Sequence, residues 1–191
     1  QTTYIDEGVV KIGRIPIFNY ANRIHGETTM TQVLEKSINT GAVWAYQQLG
    51  SDLFLKYLKK FAFFEKTGID LAGEVFSQNK EFKKGYEINF ATASFGQGIE
   101  MTPIQLVRAF SAIANGGKLT KPHLVKKVIG KDGLIKEILP EFSRNIISSE
   151  TSAQVVSMMA SVVENGYGKA AKVAGYFVAG KTGTAQVPWA S

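Results

Sequence analysis

Cysteine is absent from the sequence, and histidine occurs only at positions 25 and 123. Without cysteine the chain has no disulfide, no thiol nucleophile and no thiolate metal ligand. His25 and His123 are isolated from one another along the chain, so we expect no metal site. These absences exclude thiol chemistry and argue against a metalloprotein.

Long apolar runs are also missing. No stretch of the sequence approaches the roughly 20 apolar residues that a membrane-spanning helix needs. The first residues have neither the basic flank nor the apolar core of a signal peptide. We therefore expect any membrane anchor or targeting segment to lie outside residues 1–191.

Blocks of one charge are missing as well. The 191 residues carry a net charge of +6, but no run of five or six lysines occurs. Dispersed lysines are typical of a solvated surface, so we expect no nucleic-acid partner. With 45% hydrophobic and 20% charged residues, the composition is that of a globular domain, or part of one, with a sizeable core.

Helix signals recur along the chain. Apolar residues at three- and four-residue spacing predict two packed helices over residues 42–49 and 53–61. Thr102-Pro103 predicts a further helix start, because threonine caps well and proline at the first helical position loses no needed donor. This helix should end near residue 115. Other helices are predicted over residues 28–36 and from Ser148 to about Glu164.

Strand signals are weaker. Residues 9–19 alternate loosely and contain a glycine and a proline, which favours a short irregular hairpin. A second hairpin is predicted over residues 125–129 and 134–138, around an Asp-Gly turn. Residues 66–86 are predicted to be loop, and residues 176–187 to be a strand.

The tripeptide Lys-Thr-Gly occurs twice, at residues 66–68 and 181–183. The first copy follows a predicted helix and is interpreted as structural, with its glycine turning the chain. The second copy lies in an extended segment, where a strand beside a cleft could offer backbone N–H groups to an oxyanion. Lys181 would supply positive charge, Thr182 and Thr184 hydroxyl donors, and Gly183 close access to the backbone.

A second candidate is Ser37-Ile38-Asn39, which lies between two predicted helices. If this segment is a loop, the Ser37 hydroxyl could relay a proton while the Asn39 amide holds a substrate amide. Alternatively, Ser37 and Asn39 cap a helix that begins near Thr40. The segment by itself leaves both interpretations open.

Together these motifs resemble a known family. Ser37-Ile38-Asn39 and Lys181-Thr182-Gly183-Thr184 are similar to the second and third signatures of penicillin-binding proteins and serine β-lactamases. The stretches at 65–71, 94–106 and 112–117 resemble those of class B penicillin-binding transpeptidases. The resemblance implies an α+β fold, with a helical subdomain and a Lys-Thr-Gly strand in an antiparallel sheet. It also implies that residues 1–191 form a single incomplete transpeptidase domain.

The first signature of that family, Ser-x-x-Lys on a helix upstream of Ser-x-Asn, is missing. The one Ser-x-x-Lys match is Ser77-Gln78-Asn79-Lys80, which lies downstream in a polar loop without helical periodicity. We therefore predict no nucleophile in this chain. The family's sheet also continues beyond its Lys-Thr-Gly strand, so we expect both flanks of the domain to lie outside the sequence.

The resemblance implies roles for the residues that are present. In the parent protein an activated serine would attack the D-Ala carbonyl of a stem peptide, and an amine would resolve the acyl-enzyme, with no cofactor. Ser37 and Lys181 would relay the proton, and Asn39 would bind the donor amide. Thr182 and Thr184 would bind the terminal carboxylate, Gly183 would let the substrate approach the backbone, and the Thr184 N–H would form half of the oxyanion hole.

The resemblance also implies partners and a location. The expected partners are peptidoglycan stem peptides, β-lactams, other cell-wall synthesis proteins and a second polypeptide that completes the domain. The expected location is the extracytoplasmic face of the bacterial cytoplasmic membrane. The chain alone is predicted to be inactive. The alternatives are a D,D-carboxypeptidase or β-lactamase-like hydrolase, and a non-catalytic scaffold or binding module.

Overall fold

A computed structural model of the chain describes residues 2–185. Its strands and helices, numbered in chain order, alternate irregularly along the sequence. The strands are β1 (Thr3–Asp6), β2 (Val9–Ile12), β3 (Ile15–Phe18), β4 (Gly26–Thr29), β5 (Lys118–Lys121), β6 (Lys127–Ile129), β7 (Ile135–Glu137) and β8 (Glu141–Asn145). The helices are α1 (Met30–Glu35), α2 (Asn39–Leu49), α3 (Ser51–Lys60), α4 (Glu87–Ser94), α5 (Pro103–Ala114) and α6 (Ser149–Glu164). Short 3-10 turns occur at Tyr20–Asn22, Lys80–Lys84 and Lys169–Ala171.

The described chain divides into two compact units. The first unit contains residues 2–55, 80–99 and 154–185, and the second contains residues 56–79 and 100–153. Helices α3 and α6 each begin in one unit and end in the other. That residues 1–191 act as a single domain stays a prediction.

The first unit is organised around α2. Strand β1 pairs antiparallel with β4, and β2 pairs antiparallel with β3 in a hairpin. On α2, Val43 and Tyr46 are fully buried or nearly so, and the Tyr46 ring stacks on Phe90 of α4 with centroids 6.3 Å apart. Phe54 meets both rings edge-on. Aromatic packing therefore fixes α2, which carries the Ser-x-Asn segment at its beginning.

The second unit has its own core. Ala62, Ala112, Leu119 and Ile146 are buried together beneath α5 and the antiparallel pair β5–β8. The side chain of Gln105 on α5, which is 2% exposed, donates to the carbonyl oxygens of residues 62, 63 and 65. Helix α5 thus holds the loop after α3 against the core, because Gln105 supplies the donors that the buried carbonyl groups of this loop need.

All five helices predicted from the sequence are confirmed. Helix α5 begins at Pro103 with a capping box between Thr102 and Gln105, as the Thr-Pro pair predicts. Both predicted hairpins form, with shorter strands than expected. Helix α4 and the strands β1, β4, β5 and β8 were not predicted.

The predicted strand over residues 176–187 is wrong over 176–185, and residues 186–187 lie outside the described chain. A strand requires a ladder of hydrogen bonds to a neighbouring strand. Among the described residues, no strand pairs with this segment. Instead, the Gly180 N–H donates to the Met159 carbonyl oxygen of α6 at 3.1 Å.

No helix in the part of the chain that the structure describes combines the length and apolarity needed to cross a membrane.

After α5 the backbone at Gly117 passes close to the backbone at Ile147. Adding one methyl group at Gly117 should therefore lower the stability of the protein strongly. Gly116 and Gly117 both have left-handed backbones, with φ of +81° and +86°. A Cβ at Gly117 would lie 2.1 Å from the Ile147 carbonyl oxygen, whereas a Cβ at Gly116 would meet only the Ser149 Cβ at 3.9 Å. We expect Gly116→Ala to lower the free energy of unfolding by about 1 kcal/mol. Gly117→Ala should lower it by more than about 3 kcal/mol.

Chemical denaturation of the natural protein containing this chain measures both losses, with Gly116→Ala as the matched control. Equal losses for the two variants would contradict the close approach.

Candidate functional site

The Ser37-Ile38-Asn39 segment forms a tight turn between α1 and α2. Ser37 has a left-handed backbone with φ of +52°, which is uncommon outside glycine. Ile38 is 2% exposed, and its N–H donates to the Val33 carbonyl oxygen at 3.0 Å. The buried Ile38 therefore anchors the turn and leaves the half-buried Ser37 and Asn39 side chains on either side of it.

The alternative that Ser37 and Asn39 cap α2 is wrong. The N-cap residue is Ile38, which makes no side-chain cap bond, and Asn39 is the first residue of the helix. The Asn39 side chain points to β3 instead, where its Nδ2 donates to the Phe18 carbonyl oxygen at 3.0 Å. The segment thus runs from a turn at Ser37 into the first residue of α2, and neither polar side chain caps the helix.

Lys181 lies against this turn. Its Nζ donates to the Ser37 Oγ at 2.7 Å, across 144 residues of sequence. The same Nζ lies 3.0 Å from the carbonyl oxygen and 3.2 Å from the Oγ1 of Thr182. The bond from Gly180 to α6 holds the backbone immediately before Lys181. The structure therefore brings two of the predicted catalytic residues into direct contact.

Burial lowers the pKa of Lys181 below its ordinary value. Desolvation disfavours the ammonium form, so the neutral amine becomes accessible at lower pH than for an exposed lysine. An amine that can both release and accept a proton, hydrogen-bonded to a hydroxyl, is suited to proton transfer.

The three predicted substrate-binding residues come immediately after Lys181 in the sequence. Thr182, Gly183 and Thr184 are exposed. A Cβ placed on Gly183 would meet no atom within 4 Å, so the space beside its backbone is open. Their backbone is not paired in a strand, but it is accessible to a ligand beside Lys181.

A buried polar cluster, which we call the Asp6 cluster (Tyr4, Asp6, Asn19 and Thr40), lies behind the turn. Asp6, Thr40 and Asn19 are only 1%, 3% and 5% exposed. Thr40 Oγ1 donates to Asp6 Oδ1 at 2.7 Å, and Asn19 Nδ2 reaches both oxygens of Asp6 at 3.0 and 2.9 Å. The Thr40 N–H donates to Asn19 Oδ1 at 3.1 Å. These bonds join β1, the end of β3 and the beginning of α2.

Ionisation in the Asp6 cluster follows from its hydrogen bonds. Burial alone would raise the pKa of Asp6, but hydrogen bonds from Thr40, Gly8, His25 and Asn19 hold it below its ordinary value. Burial raises the pKa of Tyr4 to about 12, so its hydroxyl, 2.8 Å from Thr40 Oγ1, stays protonated. Asp6 is thus a buried carboxylate stabilised by neutral donors.

Sequence reasoning did not find the Asp6 cluster. Its hydrogen-bonded pairs are separated by 13 to 36 residues, and each member is a residue type that is common in strands, turns or helices. The one signal available was Thr40, a polar residue directly after the Ser-x-Asn motif at a predicted helix start.

The other Lys-Thr-Gly copy has a structural partner. The Glu74 carboxylate accepts bonds from the Thr67 hydroxyl at 2.6 Å and from the Gly68 N–H at 3.0 Å. Gly68 has a φ of +75°, so the glycine turns the chain as predicted. The structural interpretation of residues 66–68 is confirmed.

The rejected Ser-x-x-Lys match is also engaged elsewhere. The Ser77 Oγ donates to the Glu100 carboxylate at 2.6 Å, and Ser77 lies in a loop. No group of three or more histidine, aspartate or glutamate side chains among residues 2–185 could hold a metal ion.

Comparison with known proteins decides the family. Residues 1–188 match the family model of the penicillin binding protein transpeptidase domain. The chain belongs to this transpeptidase family. It is 38% identical over 185 residues to the stage V sporulation protein D of Bacillus subtilis, covering 96% of this chain and 29% of that protein. The chain therefore spans less than a third of this curated relative.

Solved structures agree with the transpeptidase assignment. The D,D-transpeptidase domain of a peptidoglycan glycosyltransferase from Eggerthella lenta aligns with a TM-score of 0.85 and 27% identity, over 98% of this chain and 49% of that chain. Penicillin-binding protein 3 of Mycobacterium tuberculosis, in complex with ampicillin, aligns with a TM-score of 0.86 and 31% identity, over 97% and 42%. The predicted α+β class is confirmed.

The burial of Lys181 predicts an altered titration in this transpeptidase chain. We expect its amine to titrate below the ordinary lysine value of about 10.4. Because the native state releases this proton more readily than the unfolded chain, stability should rise with pH between the lowered native pKa and the unfolded value. NMR of ε-carbon-labelled lysines in the natural protein containing this chain measures the titration, and Lys181→Arg assigns the signal. A pKa at or above the ordinary value would contradict the burial.

Proposed function

We propose that the protein containing this chain is a serine D,D-transpeptidase that cross-links peptidoglycan stem peptides through an acyl-enzyme and is acylated by β-lactams. The observation that carries the proposal is the 2.7 Å contact between Lys181 Nζ and Ser37 Oγ in a chain of the transpeptidase family. The contact joins the two motifs that the family resemblance singles out, and it supports the copy at residues 181–183 as the one that serves the site.

In the proposed reaction a serine outside this chain passes its hydroxyl proton to a general base, which also lies outside this chain, and attacks the penultimate D-Ala carbonyl carbon of a donor stem peptide. The tetrahedral intermediate expels the terminal D-Ala, whose nitrogen must gain a proton as the C–N bond breaks. Lys181 and Ser37 form a hydrogen-bonded pair that delivers this proton. An acceptor amine then attacks the ester carbonyl carbon and loses a proton to the same pair. The ester C–O bond breaks, the serine oxygen regains its proton from the general base, and the cross-linked peptide is released.

The remaining site residues hold the donor. The Asn39 amide can donate twice and accept twice, so its bond to Phe18 leaves capacity for a substrate amide. The exposed hydroxyls of Thr182 and Thr184 donate to the terminal carboxylate, and Gly183 allows the substrate close to the backbone. The Thr184 N–H contributes to the oxyanion hole.

The reaction sets the location and partners that we propose. Peptidoglycan lies outside the cytoplasm, so this protein would act on the extracytoplasmic face of the bacterial membrane, with other cell-wall synthesis proteins. We also propose that a second polypeptide segment completes the domain. Tyr176 and Phe177, just before the Lys181 motif, are 72% and 96% exposed, and rings of that size are normally covered.

The proposal predicts covalent labelling by a fluorescent penicillin. The natural protein containing this chain should be labelled, and Lys181→Ala or Ser37→Ala should slow acylation by about 100-fold or more, because each removes half of the proton relay. Lys66→Ala and Ser77→Ala are matched controls in the other Lys-Thr-Gly and Ser-x-x-Lys copies, and they should leave the rate unchanged. Gel fluorescence against time gives each rate.

Three outcomes would count against the proposal. Failure of the natural protein to label would remove the enzyme function. An adduct on Ser77, located by peptide mass mapping, would show that the rejected match is the nucleophile, whereas we expect residues 1–191 alone to give no label. Release of D-Ala from a stem peptide without formation of a cross-linked dimer would identify a carboxypeptidase instead.

A further inference from the structure

Asp6 lies outside every motif of the site, yet five hydrogen bonds converge on its carboxylate. Its donors are the backbone N–H groups of Gly8 and His25, each at 2.9 Å, the hydroxyl of Thr40 at 2.7 Å, and the amide of Asn19, which reaches both oxygens. At 1% exposure the carboxylate receives these donors in place of water. Removing one partner of such a buried group leaves the others without theirs.

Two routes lead from Asp6 to Asn39. Through the helix, Thr40 is the next residue after Asn39, and both its hydroxyl and its N–H are held by the Asp6 cluster. Through the hairpin, Asn19 is bound to Asp6, and the preceding residue Phe18 offers the carbonyl oxygen that accepts from Asn39 Nδ2. Asp6 therefore fixes both the helix end that carries the Asn39 amide and the strand end that orients it.

The chemistry at position 6 needs a carboxylate. Two oxygens with about four lone-pair sites can accept from all four neighbouring groups. An asparagine in the same place would present one oxygen, and its NH₂ group would face the NH₂ group of Asn19. Two donors pointing at each other repel, so Asn19, and with it Phe18, would have to move.

We propose that Asp6 is a positioning residue for acylation, which acts by holding the Asn39 amide at the angle that the donor amide or a β-lactam side-chain amide requires. This inference rests on the proposed function of the same site. Asp6 touches no substrate, and its effect reaches the reaction only through Asn39.

The test is a double-mutant cycle on the rate of penicillin acylation of the natural protein. Asp6→Asn should lower the rate by about tenfold, because a small misplacement of a positioning group is costly. In the Asn39→Ala background the same change should alter the rate by less than about twofold, since no amide remains to be positioned.

Control variants separate positioning from general destabilisation. Glu7→Gln, at the exposed neighbouring acid, should leave the rate unchanged. Thermal unfolding of each variant shows whether it is folded at the assay temperature. If Asp6→Asn does not fold, Thr40→Val and Thr40→Ser take its place: the first removes the hydroxyl donor to Asp6 and should slow acylation, and the second keeps the donor and should not.

The outcomes distinguish the two proposals. If the wild-type protein is not acylated, the proposed function fails. If the wild type is acylated but Asp6→Asn costs the same factor with and without Asn39, or costs nothing, Asp6 is not a positioning residue. The same conclusion follows if Thr40→Val acylates as fast as Thr40→Ser.

Discussion

The part of the first unit that carries Ser37 and Asn39 depends on the hydrogen bonds to the buried carboxylate of Asp6. An ionised group at 1% exposure is costly unless donors replace its hydration, and here four neighbouring groups supply them. Those groups come from the β1–β2 turn, the end of β3, the entry to β4 and the beginning of α2. One charge therefore ties together segments whose own hydrogen-bond ladders are only four residues long.

The second constraint is that Lys181 is held in place although its backbone is not part of a strand. A strand would fix the lysine through its ladder, but here a single bond from Gly180 to the C-terminal half of α6 holds the backbone, and Ser37 receives the side chain. Ser37 can receive it because the buried Ile38 holds the turn in an uncommon backbone conformation. The same burial that positions Lys181 lowers its pKa, so geometry and proton affinity have one cause.

Local signals in the sequence predicted the elements with local causes. Helix α5 follows from Thr102, Pro103 and Gln105, which act within four residues of one another. Helix α4 was missed because its N-cap, Tyr86, makes no side-chain cap bond and its eight residues give little periodicity. Residues 176–185 have a strand-like composition, but strand formation depends on a partner that composition does not specify.

By itself the sequence determined the family, through the order of Ser37-Ile38-Asn39 and the second Lys-Thr-Gly along the chain, because residue types and spacing are covalent properties. It also indicated that residues 66–68 turn the chain, since glycine favours that backbone. Only the tertiary structure decided that Lys181 contacts Ser37 and that Asp6 stands behind Asn39. Those contacts join residues 13 to 144 positions apart, and packing of the whole unit, not local preference, brings such residues together.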